Sequence, residues 1–243
     1  MKKISSAALI VLLLILAGIN SGCKKEQRKP YVLSSELASE TPYGQQYDIS
    51  WDKQFGTTEI QARFWERDQF GSPIHLNSPA LVQVNNEHMT VRSDSVTYSW
   101  SDSSVTDIQI SLTKNNGSKL LNYFALSEID NVNFDPNLSV RFRKSDGITV
   151  RWIGPSLEDG ESLSTYIEGT NINDDLQSEP VSTIARVFTS RAETFSPEML
   201  SNLRKGTIHI ILVKTKNIRP QPDGSAIGSG SMKLSIAHEA QLE

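Results

Sequence analysis

Residues 105–126 read VTDIQISLTKNNGSKLLNYFAL and hold the clearest fold signal in the sequence. From residue 108 to residue 112, isoleucine or leucine occupies every second position, which is the period of a half-buried β-strand. The segment Asn115-Asn116-Gly117 follows, and Asn-Gly between two such runs favours a β-hairpin because both residue types tolerate positive φ. Residues 119–126 are therefore predicted to form the return strand.

The same alternation recurs on the N-terminal side of this hairpin. In residues 59–67, the apolar side chains of Ile60, Ala62 and Phe64 alternate with larger polar or amphipathic ones. Further strands are predicted at residues 80–84, 89–92 and 96–100. Short strands at this spacing are typical of an antiparallel β-sandwich, which we place at residues 48–134.

A second alternating pattern begins after a junction at residues 130–136. Ile148, Val150 and Trp152 share one face of a predicted strand. The strands predicted in this half cover residues 138–143, 148–152, 163–167, 181–188, 207–213 and 232–238. The sequence therefore predicts a second β-sandwich at residues 135–243.

One short helix is predicted within this second half, at residues 197–205. Ser196 is a suitable N-cap, Pro197 suits the first helical position, and Gly206 ends the pattern after two basic residues. The predicted fold class is therefore all-β, with two tandem antiparallel sandwich domains and one short helix in the second.

The N-terminus has the composition of an export signal. Two lysines follow Met1, an uncharged and mainly apolar stretch covers residues 4–18, and small residues come next. The stretch is shorter than the roughly 20 residues of a stable transmembrane helix. We therefore predict a cleaved signal over residues 1–22, with an uncleaved membrane anchor as the alternative.

Cys23 is the only cysteine of the chain and follows Asn20-Ser21-Gly22. This segment resembles the bacterial lipobox, in which small residues precede a cysteine that is lipidated, although Asn20 stands where an aliphatic residue is usual. An exported protein with one unmodified cysteine would carry a reactive thiol. The resemblance implies a diacylglycerol thioether and an amide-linked acyl chain on Cys23, and it implies anchoring to the cell envelope, at the outer membrane.

Residues 23–47 are predicted to be the lipidated cysteine and a flexible tether, because they are polar and aperiodic and include Pro30 and Pro42. Removal of residues 1–22 takes away Lys2 and Lys3, so 22 basic residues remain against 28 acidic ones and the formal charge becomes −6. This balance disfavours nucleic acid as a partner, since its binders need a basic face. The expected partners are the membrane, through the lipid, and a glycan or an envelope protein.

The sequence contains no motif for a metal, a cofactor or a catalytic nucleophile. The four histidines are isolated, and neither G-x-S-x-G nor the phosphate-binding G-x-x-x-x-G-K-[ST] occurs. We therefore predict no cofactor, no metal site and no enzymatic activity. The alternative is a hydrolase whose carboxylates are dispersed in the sequence.

Trp65 is the tryptophan that the strand pattern predicts to be exposed, between Arg63 and Arg67. Its ring could stack on a sugar or anchor a protein partner there. The alternative is that this face packs against the neighbouring domain or a loop. Trp100 and Trp152 share strand faces with apolar residues and are predicted to lie in the core.

Residues 135–237 resemble the Ig-like β-sandwich modules of lipoproteins of the Bacteroidota type. The matching residues are Trp152-Ile153-Gly154, Leu157, Gly160-Glu161-Ser162-Leu163 and residues 195–206. The resemblance implies Ig-like sandwiches and a lipid-anchored protein, and the family brings no established activity. The leading hypothesis is a binding or scaffold protein without catalytic activity, and the alternative is a carbohydrate-binding accessory lipoprotein of an uptake system.

Overall fold

The computed structural model of the protein describes residues 29–103, 105–172, 181–188 and 190–243. Strands make up 56% of it and helical turns 7%, and in the described ranges no helix reaches seven residues. The prediction of an all-β fold is confirmed. The predicted export signal, residues 1–22, and the predicted lipidation site, Cys23, lie outside the described residues.

Eighteen strands are present in the described part of the chain. The first ten are β1 (Val32–Leu33), β2 (Tyr43–Asp52), β3 (Thr57–Glu66), β4 (Ile74–His75), β5 (Leu81–Val84), β6 (Glu87–His88), β7 (Thr90–Val91), β8 (Thr97–Asp102), β9 (Asp107–Thr113) and β10 (Lys119–Ala125). The others are β11 (Asn133–Phe134), β12 (Arg141–Phe142), β13 (Ile148–Ile153), β14 (Glu161–Asn171), β15 (Val181–Val187), β16 (Ala192–Phe195), β17 (Leu203–Ile218) and β18 (Ser229–Leu242). Single 3₁₀ turns lie at Ser34–Glu36, Leu126–Glu128, Lys144–Asp146 and Met199–Asn202.

The largest sheet has nine strands and draws on both halves of the chain. Its strands follow the order β15-β14-β17-β18-β2-β3-β8-β7, and β12 pairs with β18 beside this path. Strands β2 and β18 run parallel, with Gln46 opposite Ser229 at one end and Asp52 opposite Ser235 at the other. This pair joins the two halves, since β2 precedes the predicted junction and β18 follows it.

Each half also contributes a smaller sheet. The N-terminal half forms a sheet in the order β10-β9-β5-β6. The other small sheet has the order β11-β13-β16, in which β13 and β16 come from the C-terminal half and β11 lies just before the predicted boundary at residue 135. In the first of these, β9 and β10 pair antiparallel with Thr113 opposite Lys119. The hairpin predicted over residues 105–126 is therefore confirmed.

One hydrophobic cluster extends through strands of the large sheet and of both smaller sheets. The ring of Tyr47, which is fully buried on β2, lies 6.2 Å from that of Phe64 on β3 and 6.3 Å from that of Phe124 on β10, measured between centroids. Burial raises the pKa of the Tyr47 hydroxyl. Trp100 and Trp152 are 9% and 5% exposed, so their predicted place in the core is confirmed.

The predicted junction at residues 130–136 does not interrupt the large sheet. Tyr31–Glu243 groups into one compact unit. An ion pair also reaches the junction, because the Lys53 ammonium lies 2.6 Å from the Asp130 carboxylate. The division into domains at residues 48–134 and 135–243 stays a prediction. Because both parts contribute strands to one sheet, we expect that neither part folds without the other.

The flexible tether predicted for residues 23–47 differs from the structure, in which the chain is already fixed from β1 onwards. The Ser34 hydroxyl donates to the Asn77 side-chain oxygen at 2.8 Å, and Lys114 Nζ donates to the Thr41 carbonyl at 2.7 Å. The Tyr43 backbone N–H donates to the Asp223 carboxylate at 2.7 Å. Hydrogen bonds to distant side chains hold this segment, and such bonds leave no periodic pattern in the sequence.

The helix predicted at residues 197–205 was wrong. The Ser196 hydroxyl does accept the Met199 backbone N–H at 3.4 Å, as a cap would, but the turn ends at Asn202 and β17 begins at Leu203. Strand β17 is paired on both edges, with β14 and with β18. Tertiary pairing over a 16-residue strand overrides the local helix signals.

Candidate functional site

A polar surface covers one face of the large sheet where β18, β2, β3 and β8 lie side by side. Residues that are directly paired across neighbouring strands project from the same face of a sheet. One row across the four strands is Lys233, Ser50, Glu59 and Ser101. The next row is Ser235, Asp52 and Thr57. The neighbours of these residues along each strand, such as Ile49, Ile60 and Leu234, are buried on the other face.

Two adjoining hollows lie on this polar face. The first has a volume of about 500 Å³ and is lined by Glu59, Gln61, Glu87, Arg92, Ser99 and Ser101, among others. The second has a volume of about 420 Å³ and is lined by residues that include Ser50, Asp52, Phe55, Thr57, Glu59 and Lys233. Because Glu59 borders both, they form one depression, which we call the polar groove. Both volumes are in the range of small-molecule sites.

Phe55 provides the exposed aromatic ring of the polar groove. It sits in the turn between β2 and β3 and is 73% exposed. The Asp52 carboxylate fixes this turn by accepting the backbone N–H groups of Gln54 at 2.9 Å and of Phe55 at 3.2 Å. Gly56 completes it with a φ of 64°. The ring is therefore held at the end of the groove by a defined turn.

Two tryptophans, Trp51 and Trp100, also line the groove, and both are less exposed than Phe55. Trp51 packs partly against the hydrophobic cluster. Trp100 is nearly buried, and its indole N–H donates to the Glu87 carboxylate at 2.9 Å. Phe55 is thus more exposed than either tryptophan ring that lines the groove. The sequence did not predict Phe55 as a site residue, because a residue in a turn takes no part in the alternation that marks strand faces. The one local indication was its position between two strongly predicted strands.

The predicted contact residues Arg63, Trp65 and Arg67 do not form one row. Arg63 is exposed, and its Nε donates to the Thr97 hydroxyl on β8 at 2.9 Å. The same hydroxyl donates to Asp94, and this bond is the main cause of a pKa of about 2 for the Asp94 carboxyl. Arg63 is therefore engaged across the sheet.

Arg67 lies beyond the end of β3 and has a φ of 68°, so the strand alternation does not extend to it. Trp65 is half-buried, opposite Gly44 on β2 and bridged to Pro73 on its other side. Arg63 lies two residues before Trp65 on the same face of β3, whereas Arg67 lies outside the strand. A role for these three residues in partner contact stays a prediction.

Trp65 instead belongs to an apolar patch with Phe70 and Ile227. The three side chains line a hollow of about 270 Å³ together with Gln45, Asp68, Gln69, Gly228 and Ser229. Phe70 is 88% exposed and Ile227 is 79% exposed, the two highest values among the large apolar side chains that the structure describes. Exposed apolar groups that cluster in this way mark contact surfaces.

The sequence matches no protein-family model. It has no significant match among curated proteins. Any functional inference therefore depends on the residues and the geometry of this chain.

Two further features bear on the class of site. Within the described ranges no group of three or more histidine, cysteine or acidic side chains is placed to hold a metal ion. No helix of the described residues is long and apolar enough to cross a membrane. The polar groove offers carboxylates, a guanidinium and an ammonium group, hydroxyls and the exposed ring of Phe55, which are groups that bind by hydrogen bonding, charge and stacking.

Proposed function

We propose that the protein is a lipid-anchored binding protein of the cell envelope that binds a glycan in the polar groove without cleaving it. The export signal of residues 1–22 and the lipid on Cys23 would place the protein at the cell envelope. The groove supplies the binding surface.

The observation that carries the glycan proposal is the position of Phe55 beside the polar rows. A sugar presents hydroxyls around its edge and C–H groups on its face. Glu59, Lys233 and Ser50 can accept from or donate to the hydroxyls, and the Phe55 ring can stack on the face. An open groove on a sheet also suits an extended chain better than a compact small molecule.

Non-catalytic binding is favoured over hydrolysis by the role of Asp52. Glycoside hydrolysis needs two carboxyl groups on either side of the bond that breaks. Glu87 shares the first hollow with Glu59, but its carboxylate accepts the Trp100 indole N–H at 2.9 Å. Asp52 and Glu59 line the second hollow, but the Asp52 carboxylate accepts two backbone N–H groups of the hairpin turn. A group that holds the turn is poorly placed to transfer protons. Release of reducing sugar by the wild type, lost in Glu59→Gln, would establish the hydrolase alternative.

We expect Phe55→Ala to weaken glycan binding about tenfold, which corresponds to about 1.4 kcal/mol. The free energy of unfolding should change by no more than about 0.5 kcal/mol, because the ring lies on the surface. Residues 29–243 applied to a glycan array, followed by calorimetric titration of the best oligosaccharide, measure the first effect. Urea denaturation measures the second.

Phe70→Ala is the matched control for this variant, since it removes another highly exposed phenylalanine that lies outside the groove. It should bind the glycan like the wild type. Binding of no glycan by the wild type, or equal weakening by both variants, would overturn the proposal for the groove.

A further inference from the structure

We propose that the apolar patch of Trp65, Phe70 and Ile227 inserts into the headgroup region of the bilayer to which the protein is anchored. The patch would then orient the folded part so that the Phe55 end of the polar groove is held away from the membrane. This inference rests on the lipid anchor of the proposed function.

The point where the chain enters the fold lies beside this patch. The Val32 backbone N–H donates to the Pro73 carbonyl at 2.9 Å, and Val32 and Leu33 pair in parallel with Ile74 and His75. Pro73 is also the bridge partner of Trp65. Phe70 precedes Pro73 by three residues, a separation of at most about 11 Å. The entry point and the patch therefore share one end of the molecule.

The length of chain between the lipid and the fold keeps this end close to the bilayer. Nine residue steps separate Cys23 from Val32, so that stretch spans at most about 32 Å. The tether predicted up to residue 47 would have reached more than twice as far. Lys24, Lys25, Arg28 and Lys29 lie in this short stretch, and basic groups next to a lipid are attracted to anionic headgroups.

The loop that carries Phe70 is a defined structure that presents the ring outwards. The Asp68 carboxylate accepts the Phe70 backbone N–H at 2.9 Å, and the Arg67 backbone N–H donates to the Pro42 carbonyl at 2.8 Å. A Cβ atom on Gly71 would lie 1.9 Å from the Glu66 carbonyl oxygen, so only glycine fits this turn. The exposure of Phe70 is therefore built into the fold.

The loop that carries Ile227 is fixed against the same end of the sheet. The Gln45 side-chain amide donates to the Gln221 carbonyl at 2.9 Å, and Ser229 begins β18 opposite Gln46. Tryptophan and phenylalanine favour the membrane interface, where an aromatic ring meets lipid and an indole N–H stays near water. An aliphatic side chain at the same level adds apolar area to that contact.

The end of the polar groove that carries Phe55 lies at the opposite end of β2 from the patch. Gln45 lines the patch and Asp52 lines the groove, and seven residues of strand separate them by about 23 Å. A protein seated on the patch therefore presents Phe55 at its membrane-distal end. A glycan in the surrounding layer could then reach the groove without meeting the bilayer.

The test uses full-length lipidated protein reconstituted into vesicles of phosphatidylethanolamine and phosphatidylglycerol with brominated acyl chains, which quench tryptophan only at short range. Trp100 and Trp152 are buried and Trp51 is at the far end of β2, so quenching reports on Trp65. We expect quenching in the wild type and its loss in Trp65→Phe. The double variant Phe70→Ser/Ile227→Ser should also lose it, whereas Phe55→Ser should not.

Flotation with the vesicles distinguishes the failure of this inference from failure of the proposed function. Protein that floats in every variant but shows no quenching in the wild type would overturn the inference and leave the lipid anchor intact. Quenching that persists in the double variant would equally overturn it. Protein that neither carries lipid nor floats would overturn the anchor, and the inference with it.

Discussion

Separate chains that cover residues 31–134 and 135–243 are expected to remain unfolded, whereas the intact chain folds. Cutting between them removes the pairing of β2 with β18 and leaves both strands as long open edges. It also exposes residues that the pair buries, among them Ile49, Met232 and Leu234. Circular dichroism and thermal melts of each chain measure the effect.

Mixing or coexpression of the two chains provides the control for this prediction. If the large sheet is the unit of folding, the two chains together should recover a cooperative melt. A cooperative melt from either chain alone would show instead that the sandwiches at residues 48–134 and 135–243 are independent domains.

Lys214→Ala is expected to lower the free energy of unfolding by about 3–5 kcal/mol, because it leaves a buried carboxylate without its cation. The side chains of Lys214 and Glu161 are 1% and 4% exposed, and their charged atoms are 2.9 Å apart. Lys214 Nζ also donates to the Asn131 side-chain oxygen at 2.8 Å. Urea denaturation at neutral pH measures the loss.

Lys53→Ala is the matched control, since the Lys53–Asp130 pair has side chains 39% and 29% exposed. Removing one partner of an exposed pair should cost no more than about 1 kcal/mol. Equal losses in the two lysine variants would show that burial of the Lys214 pair contributes nothing to its effect.

The Lys214 pair should also make stability depend on pH in acid. Burial raises the pKa of the Glu161 carboxyl, but the hydrogen bonds and charge that it receives, mainly from Lys214, outweigh burial and leave the pKa lowered. Because the Glu161 pKa is lower in the folded protein than in the unfolded chain, where it is about 4.3, the ionised carboxylate stabilises the folded state above that pH. This stabilisation is lost as the pH falls through the pKa of Glu161 in the folded protein. The wild type should therefore lose more stability than Lys214→Ala between neutral pH and strong acid.

Much of the fold could be predicted from local patterns. The alternation around Ile110 and around Val150 reports which face of a strand is buried, and Asn116-Gly117 reports a turn. None of these patterns indicates which strand pairs with which. The parallel pairing of β2 with β18 therefore could not be predicted, because the two strands are more than 180 positions apart in the sequence. That pairing decides how the two halves are joined.

The candidate site could be predicted only in part, for a related reason. The polar groove arises from register across four strands, and Glu59 or Lys233 is an ordinary exposed residue within its own strand. The prediction for Trp65 used the strand period correctly, but it could not foresee that loops from residues 67–72 and 219–228 would bring Phe70 and Ile227 beside it. Tertiary convergence of loops leaves no trace in the local sequence.

Mass spectrometry of the mature protein isolated from the cell envelope tests most directly the lipid anchor on which both the binding function and the orientation depend. We expect the first residue of the mature protein to be Cys23, with a diacylglycerol thioether on its sulfur and an acyl chain on its amino group. Cys23→Ala should remain unprocessed, so its mass should be that of the variant chain from Met1 onwards with no lipid added. A mature chain that still begins at Met1, or one in which Cys23 is a free thiol, would contradict the anchor.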